Sequence, residues 1–235
     1  MNNTKTRILD AAERLLADRG IAGTSLRGIT AAAGVNLGAV NYHFRSKAAL
    51  IQAVFARRLE PLNRERLAGL TARETQAGGR PVPLDGLLHA FLGPVLNSDR
   101  DGKGFIRLLG RMYTEPSLDL QRIFTAELNE VVQRFTCAFR RTLPGLDPED
   151  LFWRLFFTIG AMAQTLAAGQ LLRFLSGGLC NPSDMKDAES RLVRFTSAGL
   201  KAPAVRRGKR VAGGRARTRG RVAFSAAASR DHSRL

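Results

Sequence analysis

From Thr4 to Leu200, apolar residues recur at spacings of three and four, the pattern of amphipathic helices. Thr4 to Arg19 puts Ile8, Ala12, Leu15 and Leu16 on one face, and Gly20 closes it, as glycine does just past a helix end. Thr24 or Ser25 caps a second helix with Leu26, Ile29 and Ala33 inward, stopped at Gly34. A short third helix covers 37–43. Ser46 caps a fourth, in which Leu50, Ile51, Val54 and Phe55 face inward. Pro61 kinks that helix rather than ending it, because apolar positions resume at Leu62, Leu67 and Leu70. The Gly and Pro of TQAGGRPVP, residues 75–83, predict a loop. Further helices are predicted over 84–97, 104–114, 117–143, 148–175 and 184–200, broken by NSDRDGKG, Pro116, LPGLDP and SGGLCNPS. No strand pattern and no repeat emerges. The predicted fold class is all-α, with a three-helix domain over 1–50, a larger helical domain over 51–201 and a low-complexity tail over 202–235.

Charge adds a partner to this picture. The chain has 37 Lys and Arg against 20 Asp and Glu, a net +17, which favours nucleic acid or an anionic membrane surface. Ten basic residues and one acidic residue, Asp231, lie beyond Lys201, whereas residues 1–50 hold seven basic and three acidic ones. The tail sequence RRGKRVAGGRARTRGR cannot bury enough apolar surface to fold alone. It reads as a disordered electrostatic aid to duplex binding, the alternative being a solubilising tail that touches nothing.

Leu155 to Leu172 is uncharged over a length close to the lower limit for a membrane span. Its two Gln, two Thr and two Gly, and the flanking Arg154 and Arg173, point instead to a helix buried on most sides in a core and a subunit interface. The chain start lacks a contiguous apolar signal-peptide core, so a cytoplasmic location and no membrane partner are expected. Cys137 and Cys180 have neither the number nor the spacing of a disulfide framework or zinc site. Cys137, in an apolar helical pattern, reads as a buried free thiol, with a redox sensor as the alternative.

Residues 24–47, TSLRGITAAAGVNLGAVNYHFRSK, read as two short helices joined at Ala33–Gly34–Val35–Asn36. Such a turn needs a residue that tolerates positive φ, which Gly34 supplies. Val35 and Val40 pack the second helix of the pair onto Leu26 and Ile29, leaving it free to lie in a DNA major groove. Gly38 and Ala39 are small enough for close approach to DNA. Asn41 offers the donor and acceptor that suit adenine. Tyr42 and His43 suit phosphates, and Tyr42 also a thymine methyl, although a lone tyrosine here is commonly a half-buried core aromatic. Lys47 opposes the dipole of the helix it begins, which makes sense if a phosphate lies between them. Arg27 reaches the opposite backbone.

These residues carry a family resemblance. ILDAAERLLADRG followed by TSLRGITAAAGVNLGAVNYHFRSKAALIQAV, within Ile8 to Phe55, closely resembles the TetR family of repressors. The resemblance implies a homodimer on a palindromic operator, released when a small molecule enters the C-terminal domain. Carried over by position, it implies DNA contacts from Ser25 and Arg27, and from Asn36, Leu37, Gly38, Ala39, Asn41, Tyr42, His43 and Lys47. One departure is the Asn at 41, where the family often has an aromatic, so base preference cannot be borrowed. GVNLGAVNYHF and the later DLFWRLFFTIGA also look like the fatty-acid-responsive branch of pseudomonads, which implies a long-chain fatty acid or acyl thioester as effector.

The helical half holds most of the aromatics, and bundles bind ligands in apolar pockets between helices. Candidate lining positions are Phe91, Phe105, Leu108, Met112, Phe124, Leu128, Trp153, Phe157 and Met162, each of which is also a plausible plain core residue. Arg107 and Arg111, four apart, could hold a carboxylate at the pocket edge or sit on a solvated face. Gly160, Ala161, Ala163, Ala167, Ala168 and Gly169 allow close helix approach, so helices 148–175 and 184–200 are expected to form the dimer, the latter through Leu192, Val193, Phe195 and Leu200. An enzyme is disfavoured: His43, His89 and His232 are scattered, and no catalytic, cofactor or metal-ligand spacing is present. The rival binding class is an architectural protein that coats DNA without sequence preference.

Overall fold

The computed structural model describes residues 2–98 and 118–204, which are helical with turns and loops between. The expected helix over 104–114, Arg107, Arg111 and the tail from Val205 lie outside the described residues. In chain order the helices are α1 (Asn2–Arg19), α2 (Leu26–Ala33), α3 (Leu37–Phe44), α4 (Lys47–Ala77), α5 (Leu84–Asn97), α6 (Leu118–Thr142), α7 (Pro148–Ala167), α8 (Gly169–Leu175) and α9 (Met185–Lys201).

The N-terminal helices close around Ile8, Ala12, Leu16, Ile29, Val40, Phe44, Leu50 and Val54, all buried. Gly20 ends α1 at φ 71°, its N–H on the Leu16 carbonyl at 3.0 Å. Ser25, not Thr24, caps α2. The buried Thr24 hydroxyl instead donates to the Gly20 carbonyl at 2.7 Å and so fixes the α1–α2 turn.

α4 is long enough, about 46 Å at 1.5 Å per residue, to serve both halves of the chain. It passes through Pro61 without ending and stops at Gly78, φ 56°, so the loop before α5 begins three residues later than predicted. Two clusters of charge fasten its neighbours to it. Glu13 of α1, 6% exposed, pairs with Arg57 at 2.5 Å and Arg58 at 2.8 Å, while Asp10 holds the other side of the Arg57 guanidinium at 2.6 Å. Further along, the Asn63 amide donates to the Glu127 carbonyl, Arg66 Nε donates to the Phe91 carbonyl, and Arg134 pairs with Glu74.

α5 runs through the middle of the larger half, burying Leu87, Leu88, Leu92 and Leu96 between α4, α6 and α9. On the α9 side, Glu189 accepts from Asn97 and pairs with His89 at 2.8 Å, and Ser197 donates to Asp85 at 2.6 Å. Arg154 of α7 closes the end of α9, its guanidinium donating to the carbonyls of Gly199, Leu200, Ala202 and Pro203. A cation there also complements the negative end of the helix dipole.

Three expectations need correction. The single helix over 148–175 is two, α7 and α8, meeting at 76°. The chain leaves helical geometry at Ala168, φ −117° and ψ 21°, and a Cβ on Gly169 would stand 2.8 Å from Pro182 Cβ, so the glycine admits the following loop at the corner. Cys137 is exposed, because α6 buries Val131, Phe135, Ala138 and Phe139 and turns 137 outward with Gln133 and Arg140. Leu192, Val193 and Leu200 of α9 are buried within the chain, where α9 packs on α5, and only Phe195 of that expected set is exposed, at 71%. Among the described residues no single helix is long and apolar enough to cross a membrane.

Replacing Glu13 by Gln should destabilise the chain by about 1–3 kcal/mol, since the buried carboxylate that both guanidiniums bond is lost and only the exposed Asp10 remains beside Arg57. The same change at Glu60, whose pair with Arg64 is open to solvent, should cost at most about 0.5 kcal/mol. Urea unfolding of the two variants gives the comparison.

Candidate nucleic-acid interface and ligand cavity

The turn between α2 and α3 is built by hydrogen bonds at both of its ends. Gly34 takes φ 61° and ψ 42°, with its N–H on the Ala31 carbonyl, and Val35 N–H reaches the Thr30 carbonyl. A side chain at 34 would also meet Arg7, since a Cβ would lie 2.7 Å from its Nη2. That guanidinium donates to the carbonyls of Ala33 and Gly34 at 2.6 and 3.0 Å, clamping the turn from α1. Arg7 escaped sequence reasoning because its partners are backbone atoms 26 and 27 residues away, which no side-chain pattern records.

The Asn36 side chain caps α3 by accepting from Ala39 N–H at 2.9 Å, and the Ser25 hydroxyl caps α2 by accepting from Gly28 N–H at 3.0 Å. Gly28 and Gly38 leave room for these caps. A Cβ at either would stand 3.3 Å from the capping oxygen, so Gly38 has a local reason to be small besides approach to DNA.

α3 has two faces. Val40 and Phe44 are buried, with Val35 and Ala39 packed against the same core. Leu37, Gly38, Asn41 and Tyr42 point out, and Tyr42 is 82% exposed, so the reading of it as a half-buried core aromatic is wrong. Its ring meets the half-buried His43 edge-on, centroids 5.1 Å apart. Ser25, Arg27 and Asn36 are exposed around this face. Lys47 is half-buried, and its ammonium donates to the Ile21 carbonyl at 2.8 Å in the α1–α2 turn. This bond occupies one of the three ammonium hydrogens and leaves the charge in place.

The larger half holds a cavity of about 460 Å³ between α6 and α7, with Phe91 of α5 at its base. Val132, Phe135, Thr136 and Phe139 line it from α6, and Glu149, Phe152, Trp153, Leu155, Phe156 and Ile159 from α7. Phe91, Phe135 and Phe139 form one ring cluster, centroids 5.1 to 6.4 Å apart, and the Arg66 guanidinium lies 4.8 Å from the Phe91 centroid. Of the candidate lining residues, Phe91 and Trp153 border this cavity. Phe105, Leu108, Met112 and the side chain of Phe124 lie outside the described residues. Leu128, Phe157 and Met162 do not border it: Leu128 packs on the core, Met162 is buried there, and Phe157 is 61% exposed. The face that borders the cavity on α7 is 149, 152, 153, 155, 156 and 159, while Leu151, Thr158 and Met162 form the buried stripe. Aromatics four apart, Phe135 with Phe139 and Phe152 with Phe156, were the available signal for the missed lining.

Two family models cover most of the described chain. Residues 8–54 match the model for bacterial regulatory proteins of the tetR family, and residues 89–199 match a tetracyclin repressor-like C-terminal domain. The chain belongs to the TetR family. That family is one of transcriptional regulators, not of enzymes. Among its relatives, the regulator TtgR of Pseudomonas putida is 47% identical over 51 residues, which is 22% of this chain and 24% of TtgR. The regulator SrpR of the same species is 42% identical over 59 residues, 25% of this chain and 28% of SrpR. These alignments thus span about a quarter of each relative's length.

Solved structures extend the likeness of fold to the whole TetR-type body. SmeT, solved in complex with triclosan, has a TM-score of 0.58 at 22% identity, covering 86% of this chain and 96% of that one. FadR from Bacillus subtilis, solved in complex with stearoyl-CoA, has a TM-score of 0.61 at 14% identity, covering 83% and 98%.

Proposed function

We propose that this regulator is a repressor that reads a palindromic DNA operator as a homodimer and lets go when a small apolar ligand of the fatty-acyl class occupies the cavity. In this reading residues 1–50 are the DNA-binding domain, 51–201 the ligand-binding and dimerisation domain, and 202–235 a basic tail. The observation that carries it is the division of α3, with Val40 and Phe44 fixed in the core while Asn41 and Tyr42 stand free on the outer face. A helix held this way presents base-reading groups to a major groove without loosening its own packing. Ser25, Arg27, Asn36, Leu37, Gly38, Ala39, His43 and Lys47 surround those two residues as backbone and groove contacts.

Release by an apolar ligand is supported by the cavity, whose border is almost entirely aromatic and aliphatic and whose size suits a small effector. Stearoyl-CoA on the similarly folded FadR supports an acyl chain as that effector. The homodimer is supported by the aromatic outer faces of α7 and α9.

Footprinting should show two symmetric half-sites about one helical turn apart. Tyr42→Ala should weaken binding to every duplex, whereas Asn41→Ala should relax preference at one base pair per half-site by about 1–3 kcal/mol. A single asymmetric half-site, or equal competition by random duplex, would favour the architectural reading instead. Titrating palmitoyl or stearoyl thioesters against the preformed complex should dissociate it, and persistence of the complex at saturation would remove the acyl proposal. Deleting residues 205–235 should flatten the dependence of log affinity on log salt, because ten basic residues leave with the tail, and should preserve operator preference. Identical salt slopes for the two chains would show that the tail does not contact DNA.

A further inference from the structure

The chain passes from α3 to α4 through a strained residue. Arg45 takes φ 61° and ψ −33°. That φ favours glycine, and the ψ lies outside the small left-handed basin that other residues reach. Across it the Ser46 N–H donates to the Phe44 carbonyl at 2.7 Å, closing a γ-turn of the rare, strained hand. Its neighbours force the turn: Phe44 is buried in the core and Ser46 caps α4, so one residue must join the two helices. Glycine meets that demand with least strain, and the other positive-φ residues among those described are all glycines.

Nothing inside the fold calls for an arginine at this point. Arg45 is exposed and pairs with no carboxylate among the described residues. Its N–H bonds the Asn41 carbonyl at 3.0 Å, so it stands one turn beyond Asn41 on the helix that carries the exposed Tyr42. From Arg19 to Leu59 the sequence has no acidic residue to repel a phosphate. At 1.5 Å per residue α3 is about 12 Å long, and the major groove of B-DNA is about 12 Å wide. A cation just past the end of such a helix, seated in the groove, comes up to a strand at its edge.

We propose that Arg45 is a further DNA contact, bonding a phosphate at the edge of the groove that α3 reads. This contact is why a cation occupies a position suited to glycine, since strained residues persist where function needs them. The proposal rests on the reading of α3 as the groove helix and adds a residue to its backbone contacts. A phosphate contact positions the head and strengthens binding to any duplex without adding sequence preference.

Arg45→Gly separates the two duties of the residue, because glycine takes this φ freely and removes the charge. In urea the full-length variant should unfold at the wild-type midpoint or above it. It should bind the footprinted operator and a mixed-sequence duplex more weakly by the same factor. Each neutralised phosphate adds about 0.9 to the slope of log affinity against log salt, so a dimer with one such contact per head should lose about 1.8. Between about 50 and 200 mM salt the variant's affinity should then fall roughly tenfold less than that of the wild type. Arg45→Lys keeps the charge and should keep the slope. A wild-type slope in Arg45→Gly overturns the contact and leaves α3 as the groove helix, and a lowered midpoint beside it would show that the arginine serves the turn. A wild-type chain that prefers no duplex over random sequence removes the groove reading and this proposal together.

Discussion

Glu13 reaches from α1 into a position that two guanidiniums make tolerable, and the attitude of the DNA-facing helices to the rest of the chain depends on that arrangement. A carboxylate this far out of water is costly unless it is paired and hydrogen-bonded, and Arg57 and Arg58 meet both conditions from successive positions of α4. Asp10 engages the Arg57 guanidinium a second time. Because the attraction is lost steeply if either side moves, α1 is held to one place along α4. α1 in turn clamps the α2–α3 turn through Arg7, and Lys47 ties the start of α4 back to Ile21. The head is therefore a closed circuit, α1 to α4, α4 to the α1–α2 turn, and α1 to the α2–α3 turn.

Most of the helices were legible in the sequence because each is amphipathic with its stops written nearby. Gly20, Gly34 and Gly78 each take positive φ at a helix end, and Ser25, Asn36 and Ser46 each cap the next helix with a side-chain oxygen. The corner at Ala168 was not legible. The run from Leu155 to Leu172 keeps its apolar character straight through it, and the cause is a contact between Gly169 and Pro182 thirteen residues on. The outward turn of Cys137 was missed for a related reason. An apolar neighbourhood in sequence does not say which side of a helix faces the core, and α6 turns its strip of Val131, Phe135, Ala138 and Phe139 inward, leaving 137 between exposed positions.

At the nucleic-acid face, residue types were easier to read than the demands on each residue. Ser25 and Asn36 resemble DNA contacts by position, and both already accept a backbone N–H at a helix start. An accepting hydroxyl or amide still has hydrogens to donate outward, so the two duties are compatible. Geometry then limits the replacements, because a substitute must cap the helix before it can touch a phosphate. Asn41 and Tyr42 carry no such duty, being exposed on the middle of α3. Positions 41 and 42 can therefore vary without disturbing the fold, whereas positions 25 and 36 are bound to it.

The uncharged run in α7 follows from the number of surfaces this helix must serve. One stripe, Leu151, Thr158 and Met162, enters the core. A second, Phe152, Phe156 and Ile159, borders the cavity. A third, Phe157 and Gly160, faces outward. A helix has about 100° per residue to distribute, so three apolar stripes leave little arc for a charge. Arg154, the one cation within its middle turns, is spent on the end of α9, where Asp150 also holds it at 3.1 Å. The 76° corner at Ala168 divides the apolar run between α7 and α8. Apolar character on every side of α7 is thus the sequence trace of a helix shared among core, cavity and outer face.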